Sequence, residues 1–308
     1  MLVTLGRQAR WALPAGVFIG VAIPALAALV RPLLTAAVIG TLATALLRLD
    51  WQQMAVAARR PLQPALFVLW MLVASPLLVW ALTGIAGLDA ELRQVLVLQS
   101  AAPPIGSAAV FALILGLDGI AAVIGTVTTT MLLPLTLTPV VGVLLAGSGL
   151  QIDLVVFFLR VSLLVALPFM LAALVRRAAG SARLLRHDEA LGGINVILLL
   201  IFAIAVMDGV TARLVADPVY IGRLLLTACI ATFLLHAAGW ALFRRTGFAN
   251  AWTCALMSGN RNVGLILVIT AGTAGDAFSL YTGVAQIPMY FAPLLIGPFL
   301  RRGRAPER

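Results

Sequence analysis

Apolar residues fall in long runs along this chain, separated by short charged or Gly/Pro-rich connections. The runs cover about 11–30, 32–47, 64–83, 92–116, 119–147, 152–175, 190–209, 219–243, 249–272 and 276–300. Each is near or above the roughly 20 residues that take a helix across a bilayer core, so the pattern predicts ten transmembrane helices. The second run is short and the fifth long, differences that tilt absorbs. No connection could hold a soluble domain, and residues 1–308 read as one all-α integral membrane domain.

Composition agrees: the chain is 62% hydrophobic and 10% charged, whereas soluble domains are about one quarter charged. All 21 basic residues are Arg, and against 11 acids they give a net charge of +10. In a membrane chain such a balance points to orientation rather than to nucleic acid. Threading ten spans places Arg7, Arg10, Arg48, Arg59, Arg60, Arg176, Arg177, Arg183, Arg186, Arg244, Arg245, Arg301, Arg302, Arg304 and Arg308 on one side, and Arg31, Arg93, Arg213 and Arg223 on the other. The bias predicts two cytoplasmic termini in a plasma (inner) membrane. Arg7 and Arg10 ahead of an apolar stretch ending at Pro24-Ala25-Leu26-Ala27 have the look of a signal peptide, but that run of about 20 residues is longer than a signal core.

The Gly147-Ser148-Gly149-Leu150-Gln151 connection divides the spans into repeat one, about 11–147, and repeat two, about 152–300. Five helices per half predicts two inverted repeats. The fourth helix of each half carries a defect. In the fourth span, Gln99-Ser100-Ala101-Ala102-Pro103-Pro104-Ile105-Gly106-Ser107-Ala108 places two prolines where a helix needs backbone donors. In the ninth, Ser258-Gly259-Asn260-Arg261-Asn262 puts two amides and a guanidinium at a depth where an Arg costs about 2.5–3.5 kcal/mol. Both helices are expected to be discontinuous, with freed backbone groups forming a site at the repeat interface. The candidate substrate-binding residues are Pro104, Gly106, Ser107, Thr126, Asn260, Arg261 and Asn262.

Other polar positions carry less. Thr126, Thr129 and Thr130 at helical spacing read first as hydroxyls bonded back to their own helix. His236, Asn195, Gln286 and Tyr290 are open, and Arg160 and Arg223 lie close enough to the outer surface to snorkel. Cys229 and Cys254 sit in apolar runs with no metal or disulfide spacing.

Ala102-Pro103-Pro104-Ile105-Gly106-Ser107-Ala108, the Gly116-Leu117-Asp118 turn, the Leu132-Leu133-Pro134-Leu135-Thr136-Leu137-Thr138-Pro139 helix and Asn262-Val263-Gly264-Leu265 together resemble the bile acid/sodium symporter family, within the superfamily that includes arsenite permeases. The resemblance implies a panel domain and a core domain whose broken helices cross. The chain departs from the family's sodium-coupled pattern at Ala108, Ala109, Met257, Met71 and Arg261, and Thr126 alone survives among the side chains expected to ligate sodium. Met and Ala offer a hard cation no oxygen.

The reading is therefore a secondary active transporter of a small organic anion, not an enzyme, working by alternating access around the crossed helices. No cofactor is expected, and sodium, if it acts at all, acts as a coupling ion. Arg261 is expected to be a fixed charge that weakens sodium dependence and can pair with substrate, unless a structural partner such as Asp118 neutralises it. The alternatives are an arsenite-type efflux permease, with Cys254 as the nearest thiol, and a non-transporting membrane sensor. Substrate identity and oligomeric state are not written in the sequence.

Overall fold

The computed structural model describes residues 9–49, 62–146, 153–271 and 273–303. Among them every regular element is a helix, and none is a strand. Seven are long and apolar enough to cross a membrane: α2 Pro24–Leu47, α3 Leu62–Ile85, α6 Gly119–Leu144, α7 Leu154–Ala179, α8 starting at Asp188, α10 starting at Pro218 and α13 starting at Gly275. The expected first span is the shorter α1, Ala9–Ala22. The fourth and ninth are each two pieces, α4 Ala90–Ala101 with α5 Ala108–Ile114 and α11 Phe248–Gly259 with α12 Val263–Thr270. A short helix, α9 Val210–Ala216, follows α8 (Asp188–Ala205) after a turn in which Gly209 takes φ 80°.

One boundary differs from the expected one. The runs 11–30 and 32–47 put the first break at Arg31, but the chain turns at Ile23-Pro24 and stays helical to Leu47. Ile23, with φ −125° and ψ 75°, is extended as a residue before proline tends to be, and Pro24 opens the next helix. Pro32 falls instead in a single tight turn, Arg31–Leu33, where its missing N–H is no obstacle. The Gly147–Gln151 connection lies outside the described residues, as do Arg7, Arg59, Arg60, Arg304 and Arg308.

Small residues set how the helices pack. Gly16 faces Leu200 and Ala203 and Gly20 faces Met207, so α1 runs parallel to α8. Gly40 faces Leu198, Thr44 bonds Asn195 (2.8 Å) and Arg48 pairs with Asp188 (2.7 Å), so α2 descends antiparallel to it. Helices α1, α2 and α8 pack mainly on one another, and α7 packs on α2 and also on α6. α10 packs on α11 and α13, α3 on α4, and α6 on α5 and α11, which gives a second group.

Candidate functional site

The two broken helices meet at their breaks. Pro104 and Arg261 form an isolated antiparallel bridge, the Ile105 N–H donates to the Asn260 carbonyl (2.9 Å), and the Asn262 N–H donates to the Pro103 carbonyl (2.7 Å). Backbone that cannot bond within its own helix is therefore satisfied by the other helix. The Asn262 side chain caps α12 by accepting from the Leu265 N–H (3.0 Å). Ser107, whose side chain makes no cap bond, begins α5. The Ser107 hydroxyl and both polar atoms of the Asn260 side chain are buried with no hydrogen-bond partner among the described residues. Leaving such groups unpaired costs about 1–3 kcal/mol each.

Arg261 is fully buried. Its Nε donates to the Ser258 carbonyl (2.7 Å), Nη1 to the carbonyls of Met71 (3.0 Å), Ser100 (2.9 Å) and Ala102 (2.9 Å), and Nη2 to the Ser75 hydroxyl (2.8 Å). Helix grammar explains why those oxygens are free. Ser100 lost its partner because the residue four positions on, Pro104, has no N–H, and Ser258 lost its own because the Asn262 N–H crosses to Pro103. Met71 lies in a wide turn, Trp70–Ala74, where the Ser75 N–H bonds Trp70 and the next residue, Pro76, has no donor to offer. Asp118, the structural partner considered for Arg261, instead caps α6 through the Ala121 N–H (2.9 Å).

Of the seven candidate residues, Gly106 and Thr126 line a cavity of about 350 Å³. Its walls come from both helix groups: Arg48 and Asn195 on one side, Ala109, Val110, Val123 and Ile124 on the other, with Asp188 at its Arg48 end. Pro104, Ser107, Asn260, Arg261 and Asn262 are buried at the crossing itself. Sequence reasoning missed Arg48 and Asp188 as site residues; the signal was a helix-end Arg and a helix-start Asp with no periodic relation to each other. Thr126, Thr129 and Thr130 bond the carbonyls of Ala122, Gly125 and Thr126, as their spacing suggested. His236 Nδ1 bonds the Thr232 carbonyl of its own helix (2.7 Å). Cys254 lines a different cavity of about 320 Å³, with Asp118, Asn250 and Met257.

A helical membrane protein in which two interrupted helices cross beside a cavity has the layout of a secondary transporter. The chain belongs to the Sodium Bile acid symporter family, whose family model matches residues 17–216. No curated protein matches the sequence. The family match covers the first broken helix and ends before the second, so the Asn260-Arg261-Asn262 segment stands on geometry alone.

Proposed function

We propose that the protein is a secondary active transporter of a small organic anion, with ten spans in two inverted repeats. Its substrate binds in the cavity between the two helix groups, against the crossing. The observation that carries this is the cavity's position. It touches the Gly106 break and Thr126 on one group and Arg48 on the other, so rocking one group against the other would open it to alternate sides. Its volume of about 350 Å³ lies at the small end of ligand sites, which favours a compact carboxylate over a steroid. Arg48 supplies a cation on its wall for which a substrate carboxylate would compete with Asp188, and the Ser107 and Asn260 groups supply hydrogen bonds once the crossing is exposed.

Thermal unfolding of the purified protein against taurocholate, pyruvate and pantoate, followed by uptake of any stabilising anion into proteoliposomes, tests the reading. A compact carboxylate should raise Tm saturably and accumulate inside vesicles. Stabilisation that is unchanged by Thr126→Val combined with Arg48→Gln, two residues of the cavity wall, would move the site elsewhere.

A further inference from the structure

We infer that Arg261 is a tethered cation. Its guanidinium permanently fills an oxygen cage of the kind that broken-helix transporters offer to a free coupling ion, so this chain needs no sodium to close its crossing.

Four main-chain carbonyls (Met71, Ser100, Ala102 and Ser258) and the Ser75 hydroxyl surround the guanidinium, and all three of its nitrogens donate to them. Among the described residues no carboxylate pairs with Arg261; ion pairs such as Arg48–Asp188, Arg213–Asp217 and Arg223–Asp89 lie elsewhere. The charge of Arg261 is thus balanced by carbonyl dipoles and not by a carboxylate. Those dipoles are concentrated there. α4 ends at Ala101 and α11 at Gly259, so two helix C-termini, each carrying partial negative charge, converge on the group. Unwound carbonyls and half-helix C-termini are what coordinate sodium in broken-helix carriers.

The site is chemically a cation site. What distinguishes it is that the cation is covalently part of α11's end and is presented as a planar fork, which bridges α3, α4 and α11 in one plane. A second cation in the same cage would meet the guanidinium within a few ångströms, with too few oxygens left to coordinate it. The cage also links two proline-made defects, at Pro76 and Pro104: the acceptors they free, the Met71 and Ser100 carbonyls, find the same donor group.

The inference rests on the transporter reading only for the word coupling; the occupied cage is tested by folding. Thermal unfolding of the full chain is measured in sodium chloride and in choline chloride at matched ionic strength, for the wild type and for Arg261→Ala. The wild type should show the same Tm in both salts. Arg261→Ala should lose more than about 5 °C in choline and regain stability saturably with sodium or with methylguanidinium, which refill the cage.

A saturable sodium stabilisation of the wild type would overturn the inference. So would an Arg261→Ala protein that is as stable as the wild type and indifferent to both cations. If Arg261→Ala does not fold, Arg261→Lys replaces it. That variant keeps the charge with fewer donors, and should unfold between wild type and complete loss with no response to sodium; a sodium response in it would also overturn the inference. Where uptake is observed, replacing sodium by choline should leave its rate unchanged. Absence of any uptake, with these unfolding results intact, would count against the transporter reading alone.

Discussion

At Gly259 the last turn of α11 meets the His236 ring so closely that a Cβ would lie 1.6 Å from Nδ1. The glycine is there for contact and not for an unusual φ. Gly259→Ala should therefore cost at least about 1–3 kcal/mol by overpacking. Gly222→Ala, on the same helix as His236 with nothing near its added methyl, should be neutral or stabilise by up to ~1 kcal/mol. Thermal unfolding of both variants, and of Gly259→Ala combined with His236→Ala, checks this: the double variant should recover much of the single loss, because the two sites are in contact. A second residue-scale prediction concerns Ser75, whose hydroxyl accepts from Arg261 Nη2 and lies 3.0 Å from the Ser100 carbonyl. Ser75→Ala removes an acceptor from a buried charge and should lower stability by about 1–3 kcal/mol; an unchanged Tm would show that the Nη2 bond contributes nothing. Ser258 gives a contrast. It too is fully buried, but its hydroxyl accepts from Trp70 Nε1 (2.9 Å) and donates to the Cys254 carbonyl (2.7 Å), tying α3 to α11 beside the cage and not within it.

At the scale of elements, the two breaks were legible because proline and clustered amides are residue-type signals. Pro103-Pro104 leaves no way to continue α4, and Asn260-Arg261-Asn262 could not face lipid. The third contributor, the wide turn in α3, was not legible. Its signal is a single Pro76 in an ordinary apolar helix, and what it gives the site is the Met71 carbonyl, which any residue type would supply. Reading side chains at Met71 and Met257 could count only what was lost, since main-chain ligands leave no trace in residue identity. A different limit hid the Arg48–Asp188 pair: both side chains are visible in the sequence, but they come from different helices 140 positions apart, with no periodic relation. That pair makes two bonds, 2.7 and 2.9 Å, at the end of the cavity between α2 and α8. Since Arg48 is half of an ion pair that a substrate carboxylate could enter, Arg48→Gln should raise the apparent Kd of the stabilising anion about tenfold or more. Asp188→Asn, which leaves Arg48 in place without its competitor, should bind it at least as tightly as the wild type. Equal weakening by both variants would mean that the pair is structural and the anion does not meet it.

For the whole molecule, the hydrophobic pattern and the arginine distribution make one claim that the packing now sharpens. The cavity's charged end is formed by Arg48 and Asp188, and Arg48 belongs to the side on which fifteen of the arginines fall when the ten runs are threaded. If that side is cytoplasmic, as the bias predicts, the Arg48–Asp188 end of the cavity is expected to open toward the cytoplasm, with the Pro104–Arg261 bridge on its far side. Two measurements test orientation and opening together. A reporter fused after Arg302 should be active on the cytoplasmic face. Val110, a half-buried residue of the cavity wall, should, as Val110→Cys in a Cys229→Ser, Cys254→Ser background, react with an impermeant maleimide presented from the cytoplasm but not from outside. A cytoplasmic reporter with labelling only from the outer face would keep the topology and reverse the direction in which this conformation opens. An outer-face reporter would overturn the threading itself. It would leave fifteen arginines on the side where the translocation machinery tolerates them least, and a different number of crossings would then have to be found among α1, the α4–α5 pair and the α11–α12 pair, the elements that no single long apolar helix defines.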